Sequence, residues 1–184
     1  MPSRSCSNWC AMHKQRLFFA LWPESAVRKQ LARHARQQQT QSGRIHHPED
    51  LHMTLVFLGQ VTDEQLPCVQ RAGDGITAGS FSMTIDNMGY WPRPRILWCG
   101  SSVATEPLLQ LVGQLQQALQ TCGFAPERRR YKPHVTLLRK ARRAETLNLQ
   151  NPIEWPVREF VLAASGDGPV EGPRYRILHR WALS

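Results

Sequence analysis

A four-residue pattern, His-x-Thr-Leu, occurs twice: once from His52 and Thr54, and again 82 residues later from His134 and Thr136. Imidazole can take or give a proton near neutrality, and a hydroxyl beside it can donate a hydrogen bond to an oxyanion. Two such pairs brought together supply a base, an acid and two donors. That set suffices to cleave a phosphodiester without a metal: one imidazole activates the attacking oxygen, the other protonates the leaving one, and the hydroxyls hold the non-bridging oxygens.

The flanks show how each motif is carried. Leu51-His-Met-Thr-Leu-Val-Phe-Leu-Gly59 and Pro133-His-Val-Thr-Leu-Leu-Arg139 are short apolar runs rich in β-branched and aromatic residues, bounded by Gly or Pro, so each predicts a strand. Strand side chains alternate, which puts His52 and Thr54 on one face, roughly 7 Å apart, and turns Met53 and Leu55 toward a core. His134 and Thr136 repeat the arrangement, so two strands are expected to line one groove. Arg139 adds a cation within reach of a phosphate, and Arg128-Arg129-Arg130-Tyr131 brings charge and an aromatic ring to the second strand's entrance. A half-buried histidine that merely satisfies a hydrogen bond would explain either motif alone, but not both. A metal site could in principle recruit Asp50 or His46, yet neither motif contains a carboxylate, and such sites want three or four converging ligands. No metal and no cofactor are expected.

The elements that must position these residues follow in chain order. Residues 1–14 are polar and aperiodic and predict a disordered extension, or an upstream start with Met12 as the natural one. Arg16 to Trp22 predicts a buried first strand, and Glu24 to about Gln39 a helix by the spacing of Ala26, Val27, Leu31 and Ala35. Thr62 and Gln65 have capping-box spacing ahead of a helix through Val69. Phe81 to Asp86 and Arg95 to Gly100 read as a hairpin, Glu106 to Cys122 as a helix stopped by Gly123, and Glu159 to Ala164 and Tyr175 to Leu183 as closing strands. The order β-α-β-α-β-β-α-β-β-β implies an α+β class, and the repeated motif implies two related lobes without a linker between them.

Composition is consistent with a soluble globular chain. With 184 residues, 41% of them hydrophobic, it can bury a core as one domain or two small lobes, and no stretch is long and apolar enough to span a membrane. Lacking a secretory signal pattern, it is expected in the cytoplasm. The five cysteines, Cys6, Cys10, Cys68, Cys99 and Cys122, are scattered and odd in number, and are expected to be thiols. A formal charge of +9 favours an anionic partner through attraction to phosphates.

The paired motifs, with Arg16-Leu-Phe-Phe-Ala-Leu and Arg95-Ile-Leu-Trp-Cys-Gly, resemble the 2H phosphoesterase superfamily. Within it they resemble the bacterial RNA 2′,3′-cyclic phosphodiesterases, also called 2′-5′ RNA ligases, from about Arg16 to Leu183. The resemblance implies a bilobal, pseudo-twofold fold at residues 15–184, with two antiparallel-rich sheets flanking a central groove and helices outside. It implies hydrolysis of a terminal 2′,3′-cyclic phosphate to a 2′-phosphomonoester, with His52 as proton donor and His134 as proton acceptor. The residues alone leave those two roles open. Thr54 and Thr136 match the phosphate-holding positions; Arg139, Tyr131 and Arg130 are further substrate-binding candidates. The partner is then RNA with a cyclic-phosphate end, including tRNA halves joined 2′-5′ in the reverse direction, and the working state a monomer. A non-catalytic RNA-binding module using Phe57, Trp91 and Tyr131 to stack on bases is the rival function.

Overall fold

The computed structural model describes residues 14–38, 43–142, 146–166 and 172–184. The first strand, β1 (Lys14–Leu21), shows why an unbroken apolar run was needed there. Leu17, Phe19 and Leu21 enter the main core, whereas Phe18 and Ala20 pack on the opposite face with Val161 and Ala163. Both faces are covered, so alternation disappears from the sequence. Lys14, placed in the expected extension, opens this strand; the rest of that extension, with Cys6, Cys10 and Met12, lies outside the described residues.

Helix α1 (Ser25–Gln37) follows, then a two-residue strand β2 (Arg44–Ile45), a 3-10 turn at Pro48–Asp50, and β3 (Met53–Thr62) carrying the first motif. Thr62 and Gln65 exchange the capping-box hydrogen bonds, main-chain amide to side-chain oxygen in both directions, around a turn that precedes α2 (Leu66–Asp74). Strands β4 (Phe81–Trp91) and β5 (Ile96–Gly100) form the expected hairpin. Helix α3 (Glu106–Gln120) buries Leu108, Leu111, Val112, Leu115 and Leu119, and ends before Gly123, whose φ of 86° suits a residue without a Cβ. The second motif lies on β6 (His134–Arg139), followed by β7 (Leu147–Val157), β8 (Glu159–Ser165) and β9 (Tyr175–Ala182).

All nine strands join one antiparallel sheet, ordered β7-β4-β5-β6-β3-β1-β8-β9 with β2 beside β6. The two expected sheets are thus continuous, but only through one residue pair between β3 and β6, Met53 with Val135. Four strands lie on the β3 side of that junction and, with β2, five on the β6 side. Helices α2 and α3 cover the β3 side, α1 covers β6 and β7, and all three pack on the face into which Met53, Leu55, Val135 and Leu137 point. The other face carries the histidines and threonines of both motifs, beside the smaller apolar cluster around Phe18.

Two expectations need correction. Strand β7, which the sequence reading omitted, contains Pro152 and Pro156; it pairs only with β4 at the sheet edge, where a missing N–H disrupts no second ladder. Cys68 and Cys122 are not thiols but a disulfide, 54 residues apart, formed because α2 packs against α3 and the chain turns back after it. Cys99 remains a buried thiol, its pKa pushed up to about 12 by burial.

Candidate active site

The single β3–β6 pair sets the geometry of the site. With Met53 opposite Val135 on antiparallel strands, His52 falls on the side of Thr136, and Thr54 on the side of His134. Met53 and Val135 are fully buried, and the four motif side chains are half-buried on the opposite face. The alternation read from each motif therefore holds, and the fold brings the two polar pairs together crosswise.

Each imidazole is oriented through the same device. Nδ1 of His52 lies 2.6 Å from the main-chain oxygen of Asp50, and Nδ1 of His134 lies 2.8 Å from that of Lys132. A carbonyl only accepts, so Nδ1 carries the proton in both rings and Nε2 is the atom that exchanges protons. Aromatic rings fix the planes. Trp22 stacks on His52 at 5.2 Å between centroids, with Phe18 and Tyr175 at 4.8 and 4.9 Å, and Trp91 meets His134 edge to face at 4.5 Å.

Burial dominates the titration. It pulls His52 down to about 4, helped by the charges of Arg139 and His134 and opposed by the bond to Asp50; His134 is lowered for the same leading reason, with Arg139 contributing. Both rings are neutral at pH 7 in the free protein, and an anionic phosphodiester beside them favours the imidazolium. The His134 charge is among the causes that lower His52, in keeping with the crosswise placement of the two motifs.

Arg139 reaches that site through a backbone irregularity. Strict alternation from His134 and Thr136 would turn residue 139 toward the core. A bulge shifts the β5–β6 register between Leu97 and Trp98, so that both Leu137 and Leu138 are buried and Arg139 returns to the groove face. Its Nε donates to Nε2 of His46 at 3.0 Å, and its charge bears on both motif histidines. Tyr131 is half-buried with its hydroxyl donating to the main-chain oxygen of Thr54 at 2.9 Å, so it ties the strand of the first motif to the loop before the second. Arg130 stands exposed on the rim of a groove of about 1220 Å³ that Thr54, Trp91, Tyr131 and His134 also line.

Asp50, considered only as a metal ligand from the sequence, has a different place. Its carboxylate is 2% exposed and accepts the main-chain N–H groups of Arg174 and Tyr175 at 2.9 to 3.1 Å, clamping the strand whose Tyr175 ring supports His52. Its position two residues before His52 was the only signal available. Among the described residues, no three His, Cys, Asp or Glu side chains converge to hold a metal.

A family model described as LigT like Phosphoesterase matches residues 21–98 and 100–171, which takes in both motifs. The chain belongs to that family. This LigT-like phosphoesterase is 34% identical over 173 residues to the RNA 2′,3′-cyclic phosphodiesterase of Escherichia coli strain K12, covering 92% of this chain and 97% of that protein. It is 29% identical over 174 residues to the protein of the same name from Archaeoglobus fulgidus, covering 89% and 97%. Its fold matches the crystal structure of E. coli LigT complexed with 3′-AMP, with a TM-score of 0.82 at 34% identity, over 94% of this chain and 99% of that one. The 2H resemblance and the α+β class read from the sequence are borne out.

Proposed function

We propose that this protein is an RNA 2′,3′-cyclic phosphodiesterase that opens a terminal cyclic phosphate to a 2′-phosphomonoester by two-histidine acid-base catalysis, without a metal or cofactor. The observation that carries the reading is the crosswise placement of two imidazoles, each with Nδ1 held by a main-chain carbonyl and Nε2 left to exchange protons.

In the assigned direction, Nε2 of His134 takes a proton from water as it attacks phosphorus. Nε2–H of His52 gives its proton to the departing 3′ oxygen, and the ring opens to leave the phosphate on the 2′ oxygen. Thr54 and Thr136 donate to the non-bridging oxygens, and Arg139 balances their charge. His52 is lowered to about 4, so the form with the proton on His52 and not on His134 is a minor one; the apparent pKa values of the rate belong to the pair. Replacing water by the 5′-hydroxyl of a second RNA gives 2′-5′ ligation, with tRNA halves as the natural pair. In this reading Tyr131 and Arg130, which line the groove, meet the RNA strand.

One chain supplies every side chain named, so a monomer suffices. No helix among the described residues is long and apolar enough to cross a membrane, and an RNA substrate suits the cytoplasm, where the Cys68–Cys122 bond would stand against a reducing pool. A module that only binds RNA leaves the two oriented imidazoles unexplained. The test is incubation with a cyclic-phosphate-ended oligonucleotide in EDTA, followed by end-group analysis. A 2′-phosphate is the expected product; loss of activity restored by a divalent ion would overturn the metal-independent mechanism.

A further inference from the structure

A second cavity, of about 340 Å³, adjoins the first-motif side of the groove and is lined by Arg44, His46, Asp50, Arg139, Arg174 and Tyr175 among others. It shares two walls with the catalytic centre, since Asp50 holds His52 through its carbonyl and Tyr175 packs on the same ring. Arg139 already serves the reacting phosphate, but nothing described so far uses the charges of Arg44 and Arg174.

That charge is unusually arranged. Arg44 on β2 lies directly opposite Arg139 on β6 in the antiparallel register, and like charges facing across a pair are destabilising. Arg174 enters from the start of β9, held in place by the bond from its main-chain N–H to Asp50. None of the three guanidinium groups forms an ion pair among the described residues, and the one carboxylate present, Asp50, is turned to main-chain amides. All three charges converge on His46, which burial and these neighbours lower to about 3. His46 is therefore neutral and accepts from Nε of Arg139, leaving both terminal nitrogens of that guanidinium to an anion. The fold carries a repulsion here that an anion relieves.

We infer that this cavity is a subsite for the backbone phosphate on the 5′ side of the terminal nucleotide, so that the site is built for oligonucleotide ends and not for free nucleoside cyclic phosphates. The inference rests on the proposed function. With His52 protonating the 3′ oxygen, the terminal ribose lies on the His52 side of phosphorus, and the next phosphate lies one ribose further along that side. Arg44 and Arg174 are the residues positioned to take it.

The test compares three substrates: a nucleoside 2′,3′-cyclic phosphate, a dinucleotide with the same cyclic end, and that dinucleotide with a neutral methylphosphonate linkage. For the wild type, kcat/KM on the charged dinucleotide should exceed that on either other substrate by about tenfold or more, the worth of one or two charge-assisted hydrogen bonds. The gap should narrow as salt rises, since the arginines are exposed. The double variant Arg44→Gln with Arg174→Gln should lose the preference and keep the wild-type rate on the nucleoside cyclic phosphate. Equal rates of the wild type on charged and neutral dinucleotides, or a preference that survives in the double variant, would overturn the subsite. If the wild type turned over none of the three, the proposed function would fail on its own. Calorimetric binding of the two dinucleotides would then decide the subsite, with equal affinities refuting it.

Discussion

Replacing Asp50 by alanine removes the buried acceptor of two partly buried main-chain amides. The carboxylate is 2% exposed, and its oxygens receive Arg174 N–H and Tyr175 N–H at 2.9 to 3.1 Å. Leaving a fully buried amide unpaired costs about 1–3 kcal/mol and a partly buried one less, so the substitution should destabilise the fold by about 1–4 kcal/mol. Asp50→Asn keeps one acceptor oxygen but turns an NH2 group toward an N–H donor, and should cost about half as much. The main-chain oxygen that orients His52 survives both changes. Loss of activity should therefore come from the Tyr175 wall moving away from the His52 ring, and kcat should fall by about tenfold or more at temperatures where the variants are fully folded. Urea denaturation measures the first effect and steady-state kinetics on a cyclic-phosphate end the second. An Asp50→Ala protein as stable as wild type within about 0.5 kcal/mol, with unchanged kcat, would refute the reasoning.

Stability should fall on acidification. His46 and His52 have folded-state pKa values lowered to about 3 and about 4 from 6.5, so below 6.5 the unfolded chain binds more protons and the folded state loses stability as pH drops toward 4. Urea midpoints between pH 7 and 4 measure this, and His46→Gln should flatten the slope. Arg139→Ala should lower kcat/KM by about tenfold to a hundredfold through loss of charge-assisted contacts to the phosphate; efficiency equal to wild type across a salt series would remove Arg139 from the site. Tyr131→Phe deletes the hydrogen bond to Thr54 and should cost about 0.5–1.5 kcal/mol of stability, read from the denaturation midpoint.

The motif faces were legible because a strand's period of two is local, and four residues sufficed to separate His52 and Thr54 from Met53 and Leu55. Arg139 could be nominated from its place just after the second motif, but the bulge that turns it to the motif face depends on the register with β5, which no single strand encodes. Asp50 was read as a ligand candidate because its partners, the amides of Arg174 and Tyr175, are 124 and 125 residues away and have no side-chain signature. Cys68 and Cys122 gave no CxxC-like spacing, since their proximity comes from helix packing. Strand β7 was hidden by its prolines, which are informative only once the strand is known to be an edge. The carbonyls of Asp50 and Lys132, which set the tautomer of each motif histidine, belong to backbone conformation and could not be read from residue type.

The division of labour between the two histidines is tested most directly by changing the leaving atom. His52→Ala and His134→Ala should each lower the rate on the ordinary cyclic phosphate by about 10² to 10⁴, with the double variant losing less than the product. With sulfur in place of the 3′ oxygen, the leaving group departs without needing a proton. His52→Ala should then recover toward the wild-type rate and show no fall in rate at high pH, while His134→Ala stays impaired. Recovery of His134→Ala instead would exchange the two roles, and near-wild-type turnover by either variant on the ordinary substrate would contradict two-histidine catalysis altogether.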